Sequence, residues 1–350
     1  MKHVTVYDIA REANVSVATV SRVLNNTAPV KKETRERITA LIDKHQFQPN
    51  ALARSLIRKE TGMIGFILPD ITNPFFPEVL ASFDRETRKL GYTCFLCDTV
   101  SSDEETERQY ARESQYLGIL MEKQVDGIVM IGGRLDLSKP DAALVREVEE
   151  VAKRVPVLMI NGNLPGTKIH RVAVDQRLGA ELAAQHLIDL GHRDIAVIGG
   201  FVHMSNTQQR IQGFRTAMRN NGLEVRKEWM VQGGFSVNKG LEFAEQVLNL
   251  PDRPTAIMCM NDLVAIGALK AADRAGLAVP AELSIVGYDD IPFASFSIPE
   301  LTTVSLMANE IGRLAAEMLH KLIAGKKVPS LHSVVPELRV RQTTAPPRNN

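Results

Sequence analysis

The chain has 350 residues, of which 44% are apolar, 24% are charged and three are cysteine. That length exceeds one ordinary domain and supplies a large core, no apolar run approaches a membrane span, and the cysteines are too few for a disulfide framework. The formal charge of +1 is unevenly spread: residues 1–60 hold eleven Lys/Arg against six Asp/Glu, and the remainder holds 31 against 35. A basic head on a slightly acidic body suits a polyanionic partner for the head, although ordinary surface charge would look the same. Lys2, Asp8, Arg11 and Glu12 interrupt any secretory h-region, so a reducing cytoplasm is the expected compartment.

At the N-terminus, Thr5 with Asp8 three residues later reads as the start of a helix over about 6–13, with Ile9 and Ala10 turned inward. Asn14-Val15 breaks it. Ser16 caps a second helix, where Val17, Val20 and Val23 recur at helical spacing among the polar or small Ala18, Thr19, Ser21 and Arg22. So narrow a stripe cannot hold a helix alone. A third helix near 32–44 offers Ile38, Leu41 and Ile42 to close a miniature core. Two short helices across so tight a turn make a helix-turn-helix, whose second helix lies in the major groove with its N-terminal residues at base edges. A helical hairpin with no nucleic-acid role would share this pattern.

"QPNALARSLIRKE" (48–60) follows, with Asn50 as an N-cap before a helix too short to be stable by itself. Arg54, Arg58 and Lys59 suit phosphates. Leu52 and Leu56 share a face with nothing local to bury against, which fits a minor-groove wedge or a linker helix packed on the larger domain.

From Gly62 onward the texture changes. Strand-length apolar runs at 63–68, 92–97, 127–131, 155–160, 171–174, 195–200, 255–260 and 283–288 alternate with helical stretches at about 75–90, 103–123, 175–190, 206–220, 237–249 and 262–274. Strands separated by helices of that length predict parallel, doubly wound sheets. So many units exceed one comfortable sheet, so two similar lobes are expected, with ligands at the carboxyl ends of the strands.

"VTVYDIAREANVSVATVSRVLNN" followed by "PNALARSL" closely resembles the LacI/GalR family of bacterial transcription repressors. The resemblance continues through "NPFF", "LGHRDIAVIGG", "RIQGF", "NDLVAIGAL", "VPAELSIVGYDD" and "IPELTTV". It implies an N-terminal all-α helix-turn-helix domain (1–47), a hinge helix (48–60) and an α/β two-lobed, periplasmic-binding-protein-like domain (61–345) for effector binding and dimerisation. Lobe 1 is expected at about 61–162 and 292–324, and lobe 2 at about 163–291 and 325–345. The implied function is a homodimeric regulator binding a palindromic double-stranded DNA operator under control of a small molecule, with no cofactor, metal or membrane. DNA contacts are expected from Thr5, Ser16, Val17, Ala18, Thr19, Ser21, Arg22 and Asn25, and in the hinge from Asn50, Ala53 and Leu56. Lys31 departs from the Ser-type cap that more often starts the third helix of the family.

The effector contacts implied by sugar-binding members fall on Asn73, Phe75, Phe76, Arg210, Phe235, Asn261 and Asp289, with Asp70 and Asn161 counted in the same set. Aromatic rings beside amides and carboxylates suit sugars, and Arg210 and Asp289 supply directional partners for hydroxyls. Phe75 or Phe76 serving as core, or Arg210 pairing internally with Asp289, are the plain alternatives. Asn161-Gly162 stands where sugar-binding relatives often have Asp-Arg, which counts against ribose. Met204 stands where purine repressors place an arginine, which counts against purines.

Other motifs lead nowhere. "CFLC" (94–97) lies in a strand, where residues three apart face opposite sides, and no second CxxC exists. "IGG" at 131–133 and 198–200 never extends to GxGxxG, and the eight histidines show no ligand spacing. A sugar-binding transport receptor without DNA function is the competing class; it would need export and leaves the head unexplained. An α/β enzyme would need a nucleophile–base grouping, and none is visible by spacing.

Overall fold

A small apolar core, with local capping of the first two, sets three helices, α1 (Val6–Glu12), α2 (Val17–Asn25) and α3 (Lys32–Lys44). The computed structural model describes residues 4–25, 28–47, 60–99 and 106–348, in two units, Met1–Thr61 and Gly62–Asn350. In the first unit the Thr5 N–H donates to Asp8 Oδ2 (2.9 Å) and the Asp8 N–H donates to Thr5 Oγ1 (3.3 Å), so aspartate closes the capping box. Asn14 adopts φ +51° in the turn, and the Thr19 N–H donates to Ser16 Oγ (3.2 Å) at the start of α2. Lys31 provides no side-chain cap to α3. Ile9, Ala10, Ala13, Val20, Val23 and Ile38 form the buried core, with Leu41 and Ile42 packed against it. Lys44 Nζ and His45 Nε2 each lie 2.7 Å from Glu12, tying the end of α3 to the end of α1. Hydrogen bonds from Lys44 and then His45 hold the Glu12 carboxyl below its ordinary pKa.

The second unit begins with β1 (Met63–Leu68), α4 (Phe75–Lys89), β2 (Thr93–Asp98), α5 (Thr106–Glu122), β3 (Gly127–Ile131), α6 (Ala142–Ala152), β4 (Val157–Ile160) and β5 (His170–Val174). Next come α7 (Gln176–Asp189), β6 (Ile195–Ile198), α8 (Ser205–Asn220), β7 (Met230–Val231), α9 (Val237–Leu248), β8 (Ala256–Cys259), α10 (Asp262–Arg274) and β9 (Ser284–Asp289). Last are α11 (Pro292–Phe296), β10 (Thr302–Ser305), α12 (Ala308–Ile323), β11 (Leu331–Val334) and β12 (Glu337–Arg339). One sheet has the order β11-β5-β4-β3-β1-β2 and is parallel throughout. The other has the order β12-β10-β9-β8-β6-β7, parallel except where β12 joins β10.

The expected lobe boundaries need correction. β5 and β11, assigned to lobe 2 from sequence, belong to the first sheet, while β10, assigned to lobe 1, belongs to the second. The chain therefore leaves the first sheet after β5, whose His170 lies in register with Leu158 of β4, and not after residue 162. It returns through α12 and crosses once more in the short link between Val334 and Glu337. Apolar runs of four or five residues look alike whichever sheet they join, and only pairing partners decide. α12 packs on α4, where Ser82 Oγ donates to Asn309 O (2.6 Å). A Cβ at Gly312 would stand 2.5 Å from Val79 O, so the helices approach that closely only with glycine.

Cys94 and Cys97 lie on edge strand β2, half-buried and buried. Burial pushes their thiols up to about 12 and about 11, which keeps both protonated. Among the described residues no three His, Cys, Asp or Glu side chains gather as a metal site, and no helix is long and apolar enough to cross a membrane.

Candidate functional site

On the head, Thr5, Ser16, Ala18 and Arg22 are exposed, while Thr19 and Ser21 are half-buried. Val17 is also half-buried and packs on the head core, so Ala18 offers the more open surface at the start of α2. Thr5 and Ser16 spend their hydroxyls as helix caps. Asn25 closes α2. The hinge residues Asn50, Ala53 and Leu56 lie outside the described residues. Two exposed side chains escaped the sequence reading: Tyr7, 67% exposed, and Arg11, paired with Asp8 at 3.7 Å. A lone tyrosine and arginine on a short helix carry no pattern.

In the second unit, the carboxyl ends of strands from both sheets surround a cavity of about 500 Å³. All nine candidate effector residues line it: Asp70, Asn73, Phe75, Phe76, Asn161, Arg210, Phe235, Asn261 and Asp289. Asp70, Asn73 and the two phenylalanines follow β1, and Asn161 follows β4; Asn261 follows β8, and Asp289 ends β9. The cavity walls are aromatic on both sides. Phe75 and Phe76 meet edge to face at 5.5 Å, and Phe201 and Phe235 do so at 5.6 Å. Phe75 is also a core residue, only 5% exposed, so the plain alternative holds for it together with the cavity position.

The polar side chains are partly committed to the protein itself. Asn73 Oδ1 accepts from the Phe75 N–H (3.2 Å) to start α4, and Asp70 Oδ1 accepts from the Thr72 N–H (2.7 Å) and hydroxyl (2.6 Å). Asn161 Oδ1 accepts from the Val174 N–H (3.0 Å). Asn261 caps α10 through the Val264 N–H (2.9 Å) and donates to Phe235 O (3.1 Å). Asn161 and Asp289 adopt φ +57° and +113°; such backbone costs about 1–3 kcal/mol where it persists, and it gathers at binding sites.

Arg210 is the hub of the second lobe's wall. Its Nε donates to Gln176 Oε1 (2.9 Å), Nη1 donates to Met260 O, and Nη2 donates to Asp289 Oδ1 (3.3 Å). Its guanidinium lies 3.8 Å over the Tyr288 ring. The internal Arg210–Asp289 pairing is therefore present, and both residues still border the cavity. Burial pushes the Asp289 carboxyl up to about 6, against the pull of Arg210.

Cavity-lining residues outside the sequence reading include Gln109, Asp136, Gln176 and Asn206. Asp136 ends a 3-10 turn, Gly133–Asp136, that no periodicity announces. Beyond it the two lobes touch. The Ser138 N–H donates to His203 O (2.9 Å), Leu137 bridges Met204, and Asn206 Nδ2 donates to Asp136 Oδ2 (3.4 Å).

Comparison with known proteins bears on both units. Residues 5–50 match the bacterial regulatory proteins of the lacI family, and residues 184–344 match the periplasmic binding protein-like domain. The HTH-type transcriptional repressor PurR of Proteus mirabilis is 36% identical over 324 residues, covering 92% of this chain and 91% of its own. The crystal structure of the lac repressor dimer bound to operator and the anti-inducer ONPF superposes with a TM-score of 0.86 at 28% identity, covering 98% of this chain and 100% of that one. The complex of the transcriptional regulator CelR with cellobiose gives 0.70 at 26% identity, covering 97% and 99%. With an identity above 30% along nearly its whole length and a lac repressor-like fold, this chain belongs to the lacI family and is a DNA-binding regulator of transcription.

Proposed function

We propose that the chain is a repressor that binds a palindromic operator as a cytoplasmic homodimer, and that a saccharide or saccharide derivative in the cavity changes its operator affinity. The observation that carries this reading is a cavity lined by strand ends of both sheets, with aromatic walls and a ring of amides and carboxylates. Sugars present C–H faces to aromatic rings and hydroxyls to polar groups. The cellobiose bound by CelR supports a saccharide, and Met204 in place of the arginine expected of purine repressors argues against a purine. The operator-bound lac repressor dimer supports the dimer and the operator partner. A ligand that touches both lobes favours one arrangement of them, and only that difference in affinity can act on operator binding.

The test is calorimetric titration of the full chain with saccharides, alone and with an operator duplex recovered by selection from random DNA. Coupling is reciprocal, so operator and saccharide should change each other's affinity by the same factor, about 5- to 150-fold. A saccharide affinity indifferent to operator would overturn the reading.

A further inference from the structure

Among the described residues, four buried side-chain polar atoms lack a hydrogen-bond partner: Gln109 Nε2, Tyr110 Oη, Asp136 Oδ1 and His320 Nδ1. Two of these, on Gln109 and Asp136, belong to residues that line the cavity on the first lobe's side. Gln109 is 4% and Asp136 8% exposed. Leaving buried polar atoms unpaired is costly, and native proteins do so rarely. Both atoms are closed to solvent, so this wall of the cavity holds unused hydrogen-bonding capacity that a side-chain rotation would turn toward a ligand.

Both residues are held rigidly from behind. Arg134, in the turn that ends at Asp136, is fully buried and donates to Glu113 Oε2 (2.6 Å), Ser114 Oγ (2.8 Å) and Tyr110 O (2.9 Å). These three partners lie on α5, the helix that carries Gln109. One buried cluster thus fixes the turn and the helix face together, a preorganised arrangement that lowers the ordering cost of binding. Asp136 Oδ2 already accepts from Asn206 of the other lobe, so its orientation is set while Oδ1 stays unpaired.

The charge around the cavity narrows the ligand further. Among the described residues, Asp70, Asp136 and Asp289 line it against one cation, Arg210. An anionic ligand would meet more like charge than opposite charge. A hydroxyl donates to a carboxylate oxygen and accepts from an amide N–H, and it suits the Gln109 amide in either orientation.

We propose that Asp136 and Gln109 form a second recognition pole, opposite Arg210, that takes adjacent hydroxyls of an uncharged saccharide, so that acidic and phosphorylated sugars are rejected. This rests on the reading of the cavity as an effector site. It adds two ligand-reading residues and a sign rule for the ligand.

The test uses the full chain and paired probes: glucose, galactose, ribose and cellobiose, each against its aldonic acid or phosphate. Calorimetry is run on the wild type, Asp136→Asn, Gln109→Met and Phe235→Ala, and melting without sugar shows whether each variant folds. The neutral sugar that binds the wild type should bind Asp136→Asn and Gln109→Met about tenfold more weakly, a single lost hydrogen bond to a charged or buried group. Asp136→Asn should also shift the neutral-to-acid preference toward the acid, which a purely structural role would not do. If that sugar binds both variants as it binds the wild type but loses affinity in Phe235→Ala, the second pole is wrong and the cavity stands. An acid or phosphate that binds the wild type more tightly than its neutral parent also overturns the proposal. If no probe binds the wild type, the effector reading fails and this one falls with it.

Discussion

Arg134 follows β3 in the first lobe and Arg210 lies in the first half of α8 in the second; both are withdrawn from water, yet their surroundings differ. Arg134 is enclosed by Glu113, Glu147, Ser114 and the Tyr110 carbonyl, and it does not reach the cavity. Arg210 has one carboxylate, Asp289, one amide, one carbonyl and a ring face, and it borders the cavity. A closed shell around a buried cation serves the fold. A shell that opens on a cavity can also serve a ligand. Burial alone does not separate the two.

The largest expected effect breaks the closed shell. Arg134→Ala strands Glu113, which is 3% exposed; removing one partner of a buried pair costs about 3–5 kcal/mol, and proton uptake by Glu113, whose carboxyl burial already pushes up to about 7, relieves part of it. Against total stabilities of about 5–15 kcal/mol this is severe, and it should appear as a lowered urea midpoint of the full chain. A loss below about 1 kcal/mol would place the cluster with weak surface pairs instead.

Arg210→Ala should show the reverse balance. One carboxylate is stranded, and Asp289 already sits at about 6, so it takes up a proton more readily than an ordinary aspartate. Its hydrogen bonds to a ligand, at about 1.5–3 kcal/mol for a charged donor, set a fall in saccharide affinity of about 10- to 150-fold. The effector response should be lost with that affinity. The bonds to Gln176, Met260 and Asp289 add a loss of second-lobe stability, which melting curves would reveal. Intact saccharide binding in this variant would return Arg210 to the class of Arg134.

A smaller effect sharpens the same contrast through pH. Burial raises Asp136 and Asp289 to about 6, with Arg210 pulling each downward. A raised native pKa means that the folded chain binds more protons than the unfolded one between about pH 4 and pH 6, so these groups lose stability as pH rises through that window. Ligand hydroxyls favour the ionised carboxylates, so saccharide affinity should instead weaken as pH falls through about 6. His186 and His192, held below the usual histidine range by burial, oppose the aspartates in the stability profile. Neither lines the cavity, so affinity is the discriminating readout. A flat affinity profile from about pH 7 to pH 5 would remove both carboxylates from recognition.

The smallest effect lies in the head. Thr5→Ala opens the capping box of α1 and should cost about 0.5–2 kcal/mol, read as earlier melting of the head while saccharide binding is unchanged. An unaltered head would show that its core, not its caps, sets the helix.

The head and the cavity also differ in how far sequence could reach. Thr5 with Asp8, Ser16 as a cap, and the spacing of Val20 and Val23 are local relations, and they reappear as caps and core at the same positions. The eight strands expected from apolar runs also appear, because buried parallel strands read as continuous apolar stretches. Four strands were invisible because none offers such a run: β7 has two residues, β10 reads TTVS, β11 reads LHSV and β12 reads ELR. The nine effector candidates came from resemblance and lie around one cavity, whereas Gln109, Asp136, Gln176 and Asn206 had no motif to mark them.

What the amino-acid order determines alone is therefore the class of each segment: three short helices, two of them capped, then alternating strands and helices that require parallel sheets. These follow from rules that act within a few residues. Which sheet takes β5, β10 and β11 was decided by pairing between distant strands. That Arg134 closes on α5 while Arg210 opens on the cavity, and that Asp136 Oδ1 is left without a partner, was decided by how those sheets and helices pack. Charge satisfaction is a property of a three-dimensional shell, and no spacing along the chain encodes whether that shell is complete.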